Sequence, residues 1–314
     1  MVEQHSVNQD IRARLRSAFG ADLKVGVSMV PYTSYRTGGE ARYFLLAKTS
    51  ETVAQAIKVA HDCELPYFLL GGGSNVLVSD TGFDGLVIKV DVDGIAVDSE
   101  AQVDCGAGEQ LSSLVDFAVD KSLTGMEFAA GIWGSVGGAV CGNAGAYGSD
   151  MSQVVQTVTV VDESGEMKTL SADQCGFAYR YSRFKKSREV IVRARFSLAP
   201  GDKAVVSNRV KDILKSRSEK HPVDGMSAGC FFKNVPDQTQ PHGKLAAGKL
   251  LDEAGAKELS VGGAKVFEKH ANIIVNTGKA TSKDIRQLAD IMKQKVKKKF
   301  GVDLEEEVVS LGEF

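Results

Sequence analysis

The sequence predicts an α+β fold, and three observations carry that reading. Short strands and helices alternate through residue 150, a pattern that α+β and α/β domains share. Residues 190–198 are the clearest strand, with Val190, Val192, Ala194, Phe196 and Leu198 alternating with Ile191, Arg193, Arg195 and Ser197. Pro200-Gly201-Asp202 then breaks the chain, and the periodicity beyond it is mainly helical. The expected organisation is a first region over 1–200, made of two α+β subdomains with a boundary near 80–90. A second domain over 201–300 and a C-terminal segment over 301–314 follow.

Taken in order, residues 8–19 read as a short helix, because Ile11, Leu15 and Phe19 recur at helical spacing and Gly20 can stop it. Residues 31–41 are a turn leading into a strand over 42–47. Residues 50–63 place Val53, Ile57 and Ala60 on one helical face, with Ser50 as the N-cap. Strands follow at 67–70, 86–90 and 103–106, and a helix at 111–119. Residues 154–161 are a strand by β-branched content, and Glu163-Ser164-Gly165-Glu166 is a hairpin turn.

Beyond the break, a helix over 203–218 carries an apolar stripe of Val206, Val210, Ile213 and Leu214. Residues 244–254 read as a helix, 273–275 as a strand and 284–299 as a strong helix with Ile285, Leu288, Met292 and Val296 on one face. Thr281 with Asp284 makes a capping box with Asp in the Glu position. Lys293, Lys295 and the lysines at 297–299 form a solvated face near the end of that helix, where cations are favoured.

With 314 residues, 43% hydrophobic and 25% charged, the chain has ordinary globular composition. A net charge of -2 gives no global electrostatic case for nucleic acid or an anionic membrane. The five cysteines, at 63, 105, 141, 175 and 230, are odd in number, widely spaced and without a C-x-x-C. That argues against a disulfide framework or a zinc site, so no metal is expected. No signal peptide is visible, and the longest uncharged stretch is too rich in Gly, Ser and Asn to be a membrane span. A cytoplasmic monomer is expected.

That uncharged stretch is the most distinctive feature of the chain. From Gly131 to Gly148, seven of 18 residues are Gly, and no charge lies between Glu127 and Asp150. Closely spaced glycines expose backbone N–H groups on a concave surface, and such nests bind anions. A flat ligand with a diphosphate would suit it; a glycine-rich surface loop is the plainer alternative. A second cluster, Gly71-Gly72-Gly73-Ser74-Asn75, joins two apolar strands. It neither opens a helix as a dinucleotide fingerprint does nor precedes G-K-[ST], so its phosphate contacts would come from loop amides.

Three later motifs carry reactive side chains. Phe177-Ala178-Tyr179-Arg180-Tyr181-Ser182-Arg183-Phe184-Lys185 holds an arginine able to grip a carboxylate, or is simply a basic surface segment. Ala228-Gly229-Cys230-Phe231-Phe232-Lys233-Asn234 holds a lone thiol in an apolar run, which by itself suits an inert core residue. Gly301-Val302-Asp303-Leu304-Glu305-Glu306-Glu307-Val308 ends in three glutamates, on their own a solvated acidic tail. His270 has no second His or Cys at ligand spacing and reads as structural.

Together these stretches resemble the UDP-N-acetylenolpyruvoylglucosamine reductase family over nearly the whole chain. The family's G-G-G-S-N turn, its G-I-P-G-[ST]-V-G-G-A…N-A-G-A-Y-G run and its T-[ST]-[FY]-x-[VTI]-G-G-x-A element at 33–41 all have counterparts here. Trp133 and Val235 stand where the family has Pro, and Cys230 where its proton donor is usually Ser. Only 49 residues separate Arg180 from Cys230, which resembles the branch without a Tyr-bearing inserted loop.

The resemblance implies an FAD-binding domain of the vanillyl-alcohol-oxidase (PCMH) type over 1–200 and a smaller α+β substrate-binding domain over 201–300, with the catalytic glutamate in the 301–314 segment. It implies FAD as cofactor, with Gly71, Gly72, Gly73, Ser74, Asn75, Gly131, Ser135, Val136, Gly137, Gly138, Ala139, Asn143, Gly145 and Ala146 around it. NADPH is the implied reductant and UDP-N-acetylglucosamine enolpyruvate the substrate, met by Tyr179, Lys220 and Asn234. The implied catalytic set is Arg180, Cys230 and Glu307, in peptidoglycan precursor synthesis. A thiol, with a reference pKa of about 8.5, can replace a hydroxyl as proton donor. Another FAD-dependent oxidoreductase or oxidase on the same fold, or a non-catalytic flavin- or UDP-sugar-binding homologue, is the alternative.

Overall fold

The computed structural model describes residues 2–98, 100–223, 225–240 and 243–314, with side chains from residue 10 onward. The chain forms two compact units, and neither is one run of sequence. The first comprises Met1–Val27, Ala41–Gly72 and Asp84–Leu214; the second comprises Ser28–Glu40, Gly73–Phe83 and Lys215–Phe314. The composition break at 200–202 suggests a single cut and a separate tail over 301–314. Instead, two short excursions, at 28–40 and 73–83, join the second unit, and 301–314 is part of it.

The first unit holds two sheets. One has the strand order Leu23–Ser28, Glu40–Ala47, Phe83–Val90, Tyr67–Leu70, the last two parallel. The other is antiparallel and five-stranded, in the order Met167–Ser171, Val155–Val161, Val190–Ser197, Gln102–Gly106, Ile95–Val97. The Val190–Ser197 strand is central to it, and Phe196, Val192 and Ala194 are buried as its alternation requires. The 163–166 turn closes the hairpin, with Val161 opposite Met167.

Helices α1 (Val2–Phe19), α2 (Ser50–Asp62), α3 (Leu111–Asp120) and α4 (Val136–Cys141) belong to this unit. The cap of α2 is Thr49, whose Oγ1 accepts from Thr52 N–H at 3.1 Å, one residue ahead of the expected Ser50. Helix α5 (Lys203–Lys220) buries Val206 and Val210 but leaves Leu214 exposed, so the apolar stripe is narrower than its sequence suggests.

In the second unit, α6 (Ala247–Glu253) and α7 (Ser282–Phe300) pack with a three-stranded antiparallel sheet of Ser260–Val261, Ala264–Val266 and Ile274–Asn276. Its core includes Phe231, Phe232, Leu251, Ile285, Leu288, Met292 and Leu304. The capping box on α7 forms as expected, with Asp284 N–H donating to Thr281 Oγ1 and Thr281 N–H to the Asp284 carboxylate. Asp80 adds a carboxylate at the same helix start, accepting from Ser282 N–H (2.8 Å) and Lys283 N–H (2.9 Å). The helix expected over 244–254 begins only at Ala247, because Lys244–Leu245 pairs with Val235–Pro236 as a short ladder. Among the described residues, no helix is long and apolar enough to cross a membrane.

Candidate active site

In the first unit the two glycine stretches meet. Gly72 N–H donates to Ser135 Oγ at 3.2 Å, and Gly138 N–H donates to the same oxygen at 3.3 Å. Ser135 is the N-cap of α4 and is 1% exposed. The approach is close enough that a Cβ on Gly72 would lie 2.6 Å from Gly134 Cα, so only glycine fits there. Helix α4 itself was hidden in the sequence, because Gly137 and Gly138 have poor helix propensity. Burial of Val136, Ala139 and Val140 supplies what propensity lacks.

Gly72 and Gly138 face outward, and a Cβ on Gly138 would meet nothing nearer than Ser135 Oγ at 3.4 Å. The result is a ledge of exposed backbone without side chains, and it fits the diphosphate and flat ring of a dinucleotide cofactor. Val136, Gly137 and Ala139, expected as cofactor contacts, are buried beneath this ledge and present little surface to such a group. Trp133 is 45% exposed beside this ledge in sequence. Leu111 N–H to Gly134 O (2.9 Å) and Val136 N–H to Glu109 O (2.9 Å) hold the segment that the family fixes with Pro.

Arg180 sits beside the glycine stretch over 131–148. Ala178 and Tyr181 exchange backbone hydrogen bonds (2.9 and 3.1 Å), leaving Tyr179 and Arg180 as the two residues of a tight turn. Arg180 has φ +54°, a left-handed conformation that costs a residue with a side chain about 1–2 kcal/mol. Several bonds hold it. Arg180 Nη1 donates to Gly145 O (3.1 Å), Lys185 Nζ donates to Arg180 O (2.8 Å), and Ser182 Oγ donates to Cys141 O (2.6 Å). Asn143, 2% exposed, donates from Nδ2 to Ala178 O and accepts from Ser152 N–H, both at 2.9 Å. Expected as a cofactor contact, Asn143 thus carries a structural duty toward the arginine turn. The guanidinium also lies 5.5 Å from the Tyr179 ring centroid.

The second unit brings Cys230 and Glu307 onto neighbouring segments. Glu307 N–H donates to Phe231 O (2.8 Å), Lys233 N–H donates to Glu305 O (2.8 Å), and Phe232 pairs with Glu306. On the other side Cys230 pairs with Ile273. Buried Asn272 locks this arrangement: its carbonyl accepts from Phe231 N–H (2.8 Å), its Oδ1 from Phe232 N–H (2.9 Å), and its Nδ2 donates to Phe232 O (2.8 Å). Tyr35, fully buried, lies under the same loop. Burial pushes its phenol up, the nearby Ala228 backbone opposes this, and a charge on Cys230 would raise it further. Neither Asn272 nor Tyr35 stood out in the sequence; Tyr35 sits inside the family-like element at 33–41, but neither side chain has a local pattern.

Glu305 is exposed, as a solvated tail would have it, whereas Glu306 is partly buried. Arg286 binds the Glu306 carboxylate, with Lys293 at 3.8 Å, and Lys233 binds Glu305. Asn234 Oδ1 accepts from Ala247 N–H at 3.1 Å and starts α6. Lys220 is exposed at the end of α5. Next to it, His221 stacks on His270 with ring centroids 5.5 Å apart. Burial and the neighbouring Arg217, His270 and Lys220 hold His221 down at about 4, while His270 Nδ1 accepts from Asn272 N–H (3.2 Å). Among the described residues no cluster of metal-ligating side chains occurs.

The fold and the glycine ledge define an FAD-binding oxidoreductase. The FAD binding domain family matches residues 41–171, and at 17% identity a glucose oxidase variant of Phl p 4 shares the fold, with a TM-score of 0.50 over 62% of this chain and 44% of that one. The remainder narrows the class: residues 221–311 match the UDP-N-acetylenolpyruvoylglucosamine reductase C-terminal domain. A UDP-N-acetylenolpyruvoylglucosamine reductase of Clostridium novyi (strain NT) is 40% identical over 311 residues, 97% of both chains. The crystal structure of a UDP-N-acetylenolpyruvylglucosamine reductase from Thermus caldophilus superposes with a TM-score of 0.75 at 32% identity, covering 92% of this chain and 100% of that one. The chain belongs to the UDP-N-acetylenolpyruvoylglucosamine reductase family and depends on FAD.

Proposed function

We propose that this chain reduces UDP-N-acetylglucosamine enolpyruvate to UDP-N-acetylmuramate in peptidoglycan precursor synthesis, with NADPH as reductant, working as a cytoplasmic monomer. Family membership supports the substrate. The observation that supports the residue assignment is the bond from Glu307 N–H to Phe231 O, which runs the backbone of residue 307 beside the Cys230 segment. The flavin's share of the chemistry is the two-electron transfer between NADPH and the enolpyruvyl double bond.

Everything else falls to the chain's own side chains. The backbone around Gly72, Ser135 and Gly138 binds the cofactor's diphosphate. Tyr179, Lys220 and Asn234 meet the substrate, and Arg180 holds its carboxylate in a charge-assisted fork. Hydride arrival at the methylene carbon leaves negative charge on the carbon beside that carboxylate. Arg180 and a hydrogen bond donated by the Glu307 carboxyl group stabilise this enol-like state, and the Cys230 thiol gives its proton to that carbon, recovering one from solvent afterwards. The test is an anaerobic visible spectrum of the purified protein. Flavin bands should bleach with NADPH and return on adding the enolpyruvyl substrate; bands that return only with oxygen would mean a different substrate.

A further inference from the structure

We propose that Asn75 is a positioning residue for Glu307, so that the turn expected to hold the cofactor also sets the register of the catalytic carboxylate. The inference rests on the reading that makes Glu307 catalytic. Asn75 Nδ2 donates to Glu307 O at 2.9 Å, and Asn75 O accepts from Val309 N–H at 3.0 Å. One residue therefore grips the chain on both sides of position 308. Directly after it, Val76–Val78 runs parallel to Val309–Leu311 and extends the same register, with Val309 opposite Val76 and Leu311 opposite Val78. From the other direction Glu307 N–H reaches Phe231 O. The backbone of residue 307 is thus suspended between Asn75 and the segment that carries Cys230.

The anchor itself is rigid. Ser34 N–H donates to Gly73 O at 3.0 Å, and a Cβ on Gly73 would lie 1.9 Å from Tyr32 O. Any shift of the turn must then move Glu307 rather than be absorbed behind it. Asn suits the position chemically, because an amide both matches the length of the gap and supplies the donor a carbonyl needs. Asp has the same shape without the donor, so it separates the hydrogen bond from the packing.

The experiment compares wild type, Asn75→Asp, Asn75→Ala and Glu307→Gln. Hydrogen exchange on the flavin-free protein comes first: amides 307–311 should exchange at least tenfold faster in both Asn75 variants. With flavin and NADPH present, reoxidation by the enolpyruvyl substrate should fall at least tenfold more than flavin reduction does, with kcat falling and the substrate KM moving less than threefold. Wild-type protection of 307–311, or equal loss in both half-reactions, overturns the proposal. If Glu307→Gln is slow and Asn75→Asp is not, the proposal alone fails; if Glu307→Gln reoxidises at the wild-type rate, the catalytic reading of Glu307 fails and takes the proposal with it.

Discussion

The Arg180 turn and the Cys230–Glu307 segments solve the same problem by opposite means. Arg180 is held in a left-handed turn, bent by two crossed backbone bonds and tied down by Asn143, Gly145 and Lys185. Cys230 and Glu307 lie on neighbouring segments paired through the Phe232–Glu306 bridge and the bond from Glu307 N–H to Phe231 O, while Asn272 holds the Cys230 segment from its other side. An arginine keeps its charge at any working pH, so its only variable is where it points, and a strained turn fixes that. A thiol and a carboxylate need correct spacing from each other, and a hydrogen-bonded ladder fixes spacing without strain.

A large effect is expected from this contrast at Arg180. Removing a charge that grips a carboxylate costs about 2–5 kcal/mol, so Arg180→Ala should slow substrate-driven flavin reoxidation by about 30- to 5,000-fold in stopped-flow traces. Asn143→Ala comes next. It removes two bonds, to Ser152 N–H and Ala178 O, which keep Asp150 Oδ1 (3.1 Å) and Tyr181 N–H (3.1 Å) as partners, so at about 0.5–1.5 kcal/mol per bond chemical denaturation should show a loss of about 1–3 kcal/mol. A turn freed in this way should also raise the substrate KM, whereas a variant with unchanged KM would show that the turn holds itself.

Arg180→Gly sharpens the comparison further. Glycine relieves about 1–2 kcal/mol of left-handed strain but loses the bond to Gly145 and adds unfolded-state entropy. Its melting temperature should stay within a few degrees of wild type while activity collapses. A strongly destabilised Arg180→Gly would mean that the arginine is structural.

Much of this fold was legible, and the exceptions share a cause. The Val190–Ser197 alternation, the Thr281–Asp284 capping box and the 163–166 hairpin are local patterns, and each appears where the sequence puts it. What local pattern cannot reveal is pairing between distant segments. Val76–Val78 pairs with Val309–Leu311, and that contact draws residues 73–83 into the second unit. Lys244–Leu245 is a strand only because Val235–Pro236 lies beside it. The site divides in the same way. Motifs single out Gly72, Ser135, Arg180, Cys230 and Glu307. Asn75 and Asn143 are in those motifs too, but as cofactor contacts; the bonds by which they and Asn272 position the chain reach carbonyls and amides up to 232 positions away, with no period to read.

The smallest effect expected is electrostatic. His221 is held at about 4, against an ordinary 6.5, so below pH 6.5 the unfolded chain takes up its proton before the folded one. Stability should therefore fall as pH drops from 6.5 to about 4 and stop falling from this source below that. Thermal melts of His221→Gln across the same range should show a shallower decline; an identical slope would remove His221 as a cause.

The most direct test of the division of labour is a single-turnover comparison of wild type and Cys230→Ala under anaerobic conditions. A positioned proton donor contributes about 10²- to 10⁴-fold, so flavin reduced by NADPH should be reoxidised by the enolpyruvyl substrate slower by a factor in that range. Reoxidation of Cys230→Ala at the wild-type rate would contradict the account at its centre, because the proton would then come from somewhere other than the segment that Glu307 is fastened to.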